Sequence, residues 1–121
     1  MATLLVNTGK AIVTSRLNSG GTIPQYVAWG TGAGTTGATD TTLFTEVTPR
    51  VSGTTSQVTT STTNDTFQVV GTQTAGTSET ITNAALFDAS TSGNLFIKGD
   101  FTGIPLNTSD SIQFTFKVQF S

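Results

Sequence analysis

The chain contains no cysteine and no histidine. Without cysteine it can form neither disulfides nor thiolate metal sites. Without histidine it lacks the usual general base near neutral pH, the His-dependent catalytic triads and every His-ligated metal site. Charge is scarce too: Asp, Glu, Lys and Arg make up 10% of the residues, against about 25% in an average soluble protein. The basic residues Lys10, Arg16, Arg50, Lys98 and Lys117 are scattered. Phosphate neutralisation needs clustered Lys and Arg, so no nucleic-acid partner is expected. No apolar run approaches the length of about twenty residues that a membrane helix needs, so no membrane partner is expected either. Leu4-Leu5-Val6 is too short for the apolar core of a signal peptide, and none is expected.

Threonine fills the space that charge leaves, at roughly a quarter of the 121 residues, far above ordinary usage. It is β-branched, which suits pleated strands and costs helices rotamer freedom. With thirteen glycines available for turns, the composition predicts an all-β chain of short strands. The length predicts one domain, 1–121, with residues 1–22 as an N-terminal helix or arm.

Asn7 or Thr8 is the expected N-cap of a short helix that Asn18-Ser19-Gly20-Gly21 ends. Leu5, Thr8, Ile12 and Ser15 would share its face, and a strand competes because Val13 and Thr14 are β-branched. Tyr26-Val27-Ala28-Trp29-Gly30 is an apolar run of strand length, followed by a small-residue loop over 31–40. Leu43, Phe44 and Val47 precede Pro49, which limits that segment to an edge or irregular strand. Glu46 and Arg50, four apart, are spaced to pair. Residues 57–63 and 66–73 flank Asn64-Asp65 and read as a hairpin with a two-residue turn. Residues 79–88 form the next strand, with Ile81, Ala85 and Phe87 on one side. Leu95 to Phe101 form another, and Gly103-Ile104-Pro105 begins a loop to Asp110. From Ser111 onward, Ile112, Phe114, Phe116, Val118 and Phe120 alternate with polar residues, which gives a strand with one apolar and one wet face. The expected fold is an antiparallel β-sandwich or barrel-like domain of about seven to eight short strands with one short N-terminal helix.

Catalytic and cofactor motifs are absent or uninformative. Gly32-Ala33-Gly34-Thr35-Thr36-Gly37 fits the dinucleotide fingerprint, but no helix pattern follows to present its N-terminus to a pyrophosphate. Asp88, Asp100 and Asp110 adjoin turn formers, where aspartate serves its own backbone. Asn64-Asp65-Thr66 and Asn107-Thr108-Ser109 match the glycosylation pattern by chance in so Thr-rich a chain. The residues therefore predict no catalytic residues, no metal and no cofactor, and the protein is not expected to be an enzyme.

One order of residues is familiar. Leu5-Val6-Asn7-Thr8-Gly9 leads to Tyr26-Val27-Ala28-Trp29-Gly30-Thr31-Gly32 and Asp40-Thr41-Thr42-Leu43. Thr63-Asn64-Asp65-Thr66 and Ala84-Ala85-Leu86-Phe87-Asp88 follow. Gly93-Asn94-Leu95-Phe96, Gly99-Asp100-Phe101 and Asp110-Ser111-Ile112-Gln113-Phe114 close the chain. Over nearly its whole length it resembles the small virion proteins of tailed bacteriophages. The resemblance implies a noncatalytic virion structural protein, first of all a capsid decoration (cement) protein on the outer capsid surface, released by host lysis. Its partners would be the major capsid protein and itself, as a homotrimer formed through the poorly filled arm 51–63. The alternative is a tail, tail-fibre or receptor-binding component, and a carbohydrate-binding module with an exposed aromatic platform comes after it.

Phe67, Ile81, Phe87, Phe96, Phe101 and the segment Ile112 to Phe120 are expected to form the core. The N-terminal half is expected to do the adhering, with Leu4, Leu5, Tyr26, Trp29, Leu43, Phe44 and Arg50 as partner-interface candidates. For Tyr26 and Trp29, core packing is the ordinary alternative, since aromatics serve interiors and interfaces alike.

Overall fold

A computed structural model describes residues 4–121. Its one helix, α1, spans Asn7–Ser19. It starts without the expected cap: Val6 occupies the N-cap position and no side chain closes the first turn. At the other end the Gly20 N–H donates to the Arg16 carbonyl at 2.7 Å. The expected stripe of Leu5, Thr8, Ile12 and Ser15 does not face inward, and Ile12 is 57% exposed. The buried helix residue is Thr14, which bonds the Asn64 carbonyl at 2.6 Å and accepts the Gln57 amide N–H at 2.8 Å. Polar anchoring, not an apolar stripe, decides which side of α1 meets the sheets.

Seven strands follow: β1 Tyr26–Gly30, β2 Glu46–Ser52, β3 Thr54–Val58, β4 Thr66–Thr74, β5 Glu79–Phe87, β6 Leu95–Leu106 and β7 Ser111–Gln119. They form two antiparallel sheets in the orders β2-β1-β5-β6 and β3-β4-β7, a sandwich-like all-β fold. The chain crosses between sheets at Gly53, where the N–H donates to the Gln25 carbonyl at 2.7 Å. A Cβ there would lie 2.5 Å from Val69 Cγ1, so only glycine fits the corner.

The apolar runs of β1 and β5 are buried on both faces, as the central strands of a covered sheet must be. On the inner face Val27 and Leu86 pack on Phe67 and Val69 of the other sheet. Farther along, Trp29 packs with Ala75 and Ile81, and its ring meets Phe114 edge-on with centroids 6.4 Å apart. The outer face holds Ala28, Ala85 and Phe87, covered by Leu43 from the long loop between β1 and β2. Ile81 therefore does not share a side with Ala85 and Phe87. A register shift between Ile81 and Asn83 turns it to the inner face.

Three further expectations are corrected. The β3–β4 connection is no two-residue turn, since Val58 pairs with Thr66 and residues 59–65 form the loop. The Asp65 carboxylate organises that loop by accepting the N–H groups of Thr60, Ser61 and Thr62. β6 does not end near Phe101 but runs on through Gly103, Ile104 and Pro105, where Thr80 pairs with Pro105. Pro105 is tolerated because β6 is an edge strand. The terminal strand alternates as expected, but its apolar residues are only half-buried. Phe96 and Phe101 are half-buried as well, and the deepest side chains belong to β1, β4 and β5.

Candidate functional site: a polar outer layer and an open side

The loop between β1 and β2 lies over the outer face of the four-stranded sheet, and a few polar side chains hold it there. Asn83, fully buried in β5, accepts the Phe44 N–H at 3.0 Å and donates to the Phe44 carbonyl at 3.1 Å. Its amide thus imitates a neighbouring strand for a loop residue. Lys98 on β6 donates to Asp40 Oδ2 at 2.8 Å and to the Thr42 carbonyl at 2.9 Å. Its ammonium also lies 3.4 Å from the centroid of the Phe44 ring. Asp100 accepts the Thr36 N–H at 2.9 Å. The Lys98 ammonium and the Gly37 N–H hold the Asp40 carboxyl below its usual range, and the bond from Thr36 does the same for Asp100.

Arg50 makes the same kind of clamp at the other edge. Its guanidinium forms two parallel bonds to Glu46, at 2.7 and 3.1 Å. It also donates to the Ala89 and Ser92 carbonyls and stacks 3.6 Å from the Phe87 centroid. Only 7% of its side chain is exposed. The Glu46–Arg50 pair is therefore a largely buried, bidentate clamp.

The expected contact residues scatter. Trp29 and Leu43 are 2% and 5% exposed and belong to the core. Arg50 and Phe44 are tied into the outer layer, and Tyr26 packs half-buried against it. Leu4 and Leu5 do reach solvent, at 84% and 40% exposure, beside Val6 at 56%. Between the sheets, Trp29 cannot serve as an exposed aromatic platform for a sugar. The arm 51–63 is taken up within the chain by β2 and by β3, which pairs with β4.

Several concavities remain, one of about 520 Å³ beside Leu4, Leu5, Val6 and Ser121. A cleft of about 400 Å³ lies among Thr36, Asp40, Phe96 and Lys98. Another, of about 250 Å³, lies among Trp29, Pro49, Gln73 and Glu79. Glu79 Oε1 is buried there with no hydrogen-bond partner among the described residues. Among the described residues no three His, Cys, Asp or Glu side chains group as metal ligands. Nor is any described helix long and apolar enough to cross a membrane. Asp65, Asn83, Lys98 and Gln73, whose buried amide donates to the Val27 carbonyl at 2.8 Å, are the polar residues that sequence reasoning missed. Their only sequence signal is position inside or beside apolar runs, where a polar residue needs an internal partner.

A two-sheet β protein most of whose buried polar side chains bond its own backbone fits the class of structural domains. The chain belongs to the family described as podophage GP4 fiber I protein gp80, whose model matches residues 16–118. It is a bacteriophage virion structural protein. No curated protein and no solved structure matches it.

Proposed function

We propose that the chain is a noncatalytic building block of a phage fibre. The family match over residues 16–118 carries this reading. It favours the fibre over the outer capsid surface, so the partners proposed are neighbouring fibre or tail polypeptides and not the major capsid protein. The chemistry of the chain agrees. Lys98, Arg50 and Asp65 are consumed by internal clamps, and the polar surface is rich in threonine and poor in charge. Such a surface makes hydrogen bonds across an interface without burying unpaired charge. Fibre parts recur in one particle, so modest contacts add up through avidity. Gold-labelled antibody against the chain, applied to intact virions, should decorate fibres. Label spread evenly over the capsid would overturn the proposal in favour of a cement protein.

A further inference from the structure

Two sheets have four outer edges, and the sequence treats them differently. An unpaired edge invites another strand, so proteins guard edges with proline, charge, bulges, short strands or a covering segment. β2 carries Pro49, the Glu46–Arg50 pair and a register break against β1. β3 is five residues long and tied to α1 through Gln57. β6 carries Lys98, Asp100, Pro105 and two register shifts, and Asp100 bonds the overlying loop. Apart from one charge, β7 has none of these devices among the described residues. Over nine residues it pairs with β4 without a register shift, and Lys117 is its one charge.

The backbone of β7 has a definite orientation. The Phe120 N–H donates to the Asp65 carbonyl, and the Asp110 carbonyl accepts the Ala75 N–H. The N–H and C=O of one residue point to the same side of an antiparallel strand, alternating along it. Even-numbered residues from 110 to 120 therefore address β4. Ser111, Gln113, Thr115, Lys117 and Gln119 direct their backbone groups to the free edge. Beside this edge the sandwich is open: Phe101, Phe114 and Phe116 are half-buried, with Phe101 and Phe114 centroids 6.4 Å apart.

We propose that the free edge of β7 pairs antiparallel with β7 of a second copy, across a two-fold axis at Thr115. This register matches the whole strand. Thr115 faces Thr115, Gln113 faces Lys117 and Ser111 faces Gln119, so every outward-directed N–H and C=O meets its complement. On the other face Phe114 meets Phe116 and Ile112 meets Val118, extending the apolar surface of each copy. Centring the axis on Lys117 would oppose two like charges, whereas at Thr115 each lysine faces a glutamine. The two three-stranded sheets become one continuous six-stranded sheet, β3-β4-β7-β7-β4-β3. The shared surface is main-chain recognition with side-chain complementarity, a form of strand addition.

Sedimentation of the full chain in the high-micromolar range should give twice the chain mass. Thr115→Pro removes an N–H that β4 does not use, so the variant should sediment as a monomer with its melting temperature nearly unchanged. Thr115→Lys and Thr115→Glu each place like charges at the axis, and each alone should be monomeric. Mixed in equal amounts they should form a lysine–glutamate heterodimer, seen by native mass spectrometry. That result is specific to an axis at Thr115. A wild-type monomer over the whole range would overturn the proposal, since any partner of this edge would then be another polypeptide. So would an oligomer that survives Thr115→Pro, or a mixture that stays monomeric.

Discussion

Replacing Trp29 with alanine should cost more stability than replacing any phenylalanine of the terminal strand. Trp29 is 2% exposed between the sheets, against Ala75 and Ile81 and edge-on to Phe114. Truncating a fully buried large aromatic costs about 3–5 kcal/mol, and an edge-to-face pair adds about 0.5–1.5 kcal/mol beyond its area. Trp29→Ala therefore belongs at the top of that range. For a domain of this size the melting temperature should fall by about 15–25 °C. Phe116 is half-buried, and Phe116→Ala should cost about 1.5–3 kcal/mol. Both variants are compared by far-UV circular dichroism under thermal and urea denaturation, because Trp29 is the chain's only tryptophan fluorophore. Dilute protein keeps any association through β7 out of the comparison. If Phe116→Ala proved the more damaging, the core would lie against β7 and the placement of Trp29 would be wrong.

Other consequences are narrower. Gly71→Ala sets a Cβ 2.6 Å from Val27 Cγ2, in a core that cannot give way. It should cost about 1–3 kcal/mol, while Gly76→Ala, with nothing within 4 Å, should be neutral by the same urea titration. Burial pulls the Asp65 carboxyl up, but the N–H groups of Thr60, Thr62 and Ser61 and the Thr66 hydroxyl outweigh it and hold it well below the usual range. A depressed carboxylate stabilises fully above its unfolded pKa, about 3.9, and that contribution is lost as pH falls toward the folded value. Melting curves should therefore show Asp65→Asn clearly less stable than wild type at pH 7, with the gap closing below about pH 4. Lys98→Gln removes the ammonium bonded to Asp40 and Thr42. Backbone amides of residues 36–44 should then exchange hydrogen faster, with those of β4 unchanged.

Much of the fold was legible because periodicity and punctuation agreed with the global arrangement. The apolar run 26–30 is β1 to the residue, Pro49 marks an edge strand, and Gly20-Gly21 ends the helix. The failures share a physical origin. Alternation along 112–120 reports two different faces but not depth, so an edge strand looked like the centre of the core. The central strands declare themselves by having no polar face, as in Val27-Ala28-Trp29 and Ala84 to Phe87. Pro105 read as a loop because its tolerance depends on lying at an edge, which only the sheet order reveals. The Asn64-Asp65 turn failed because the Asp65 carboxylate bonds three backbone N–H groups of the preceding residues. As for the surface, Trp29, Leu43 and Arg50 have the composition of contact residues and are spent internally. The backbone edge of β7 is invisible until the pairing of its other side is known.

The most direct test of the fibre assignment is where the chain resides in the particle and in what amount. Purified virions would be separated into capsid and tail fractions, and the chain quantified in each by mass spectrometry against the major capsid protein. A fibre component should partition with the tails, at a few to a few dozen copies per particle. Hundreds of copies remaining with the capsids would contradict it.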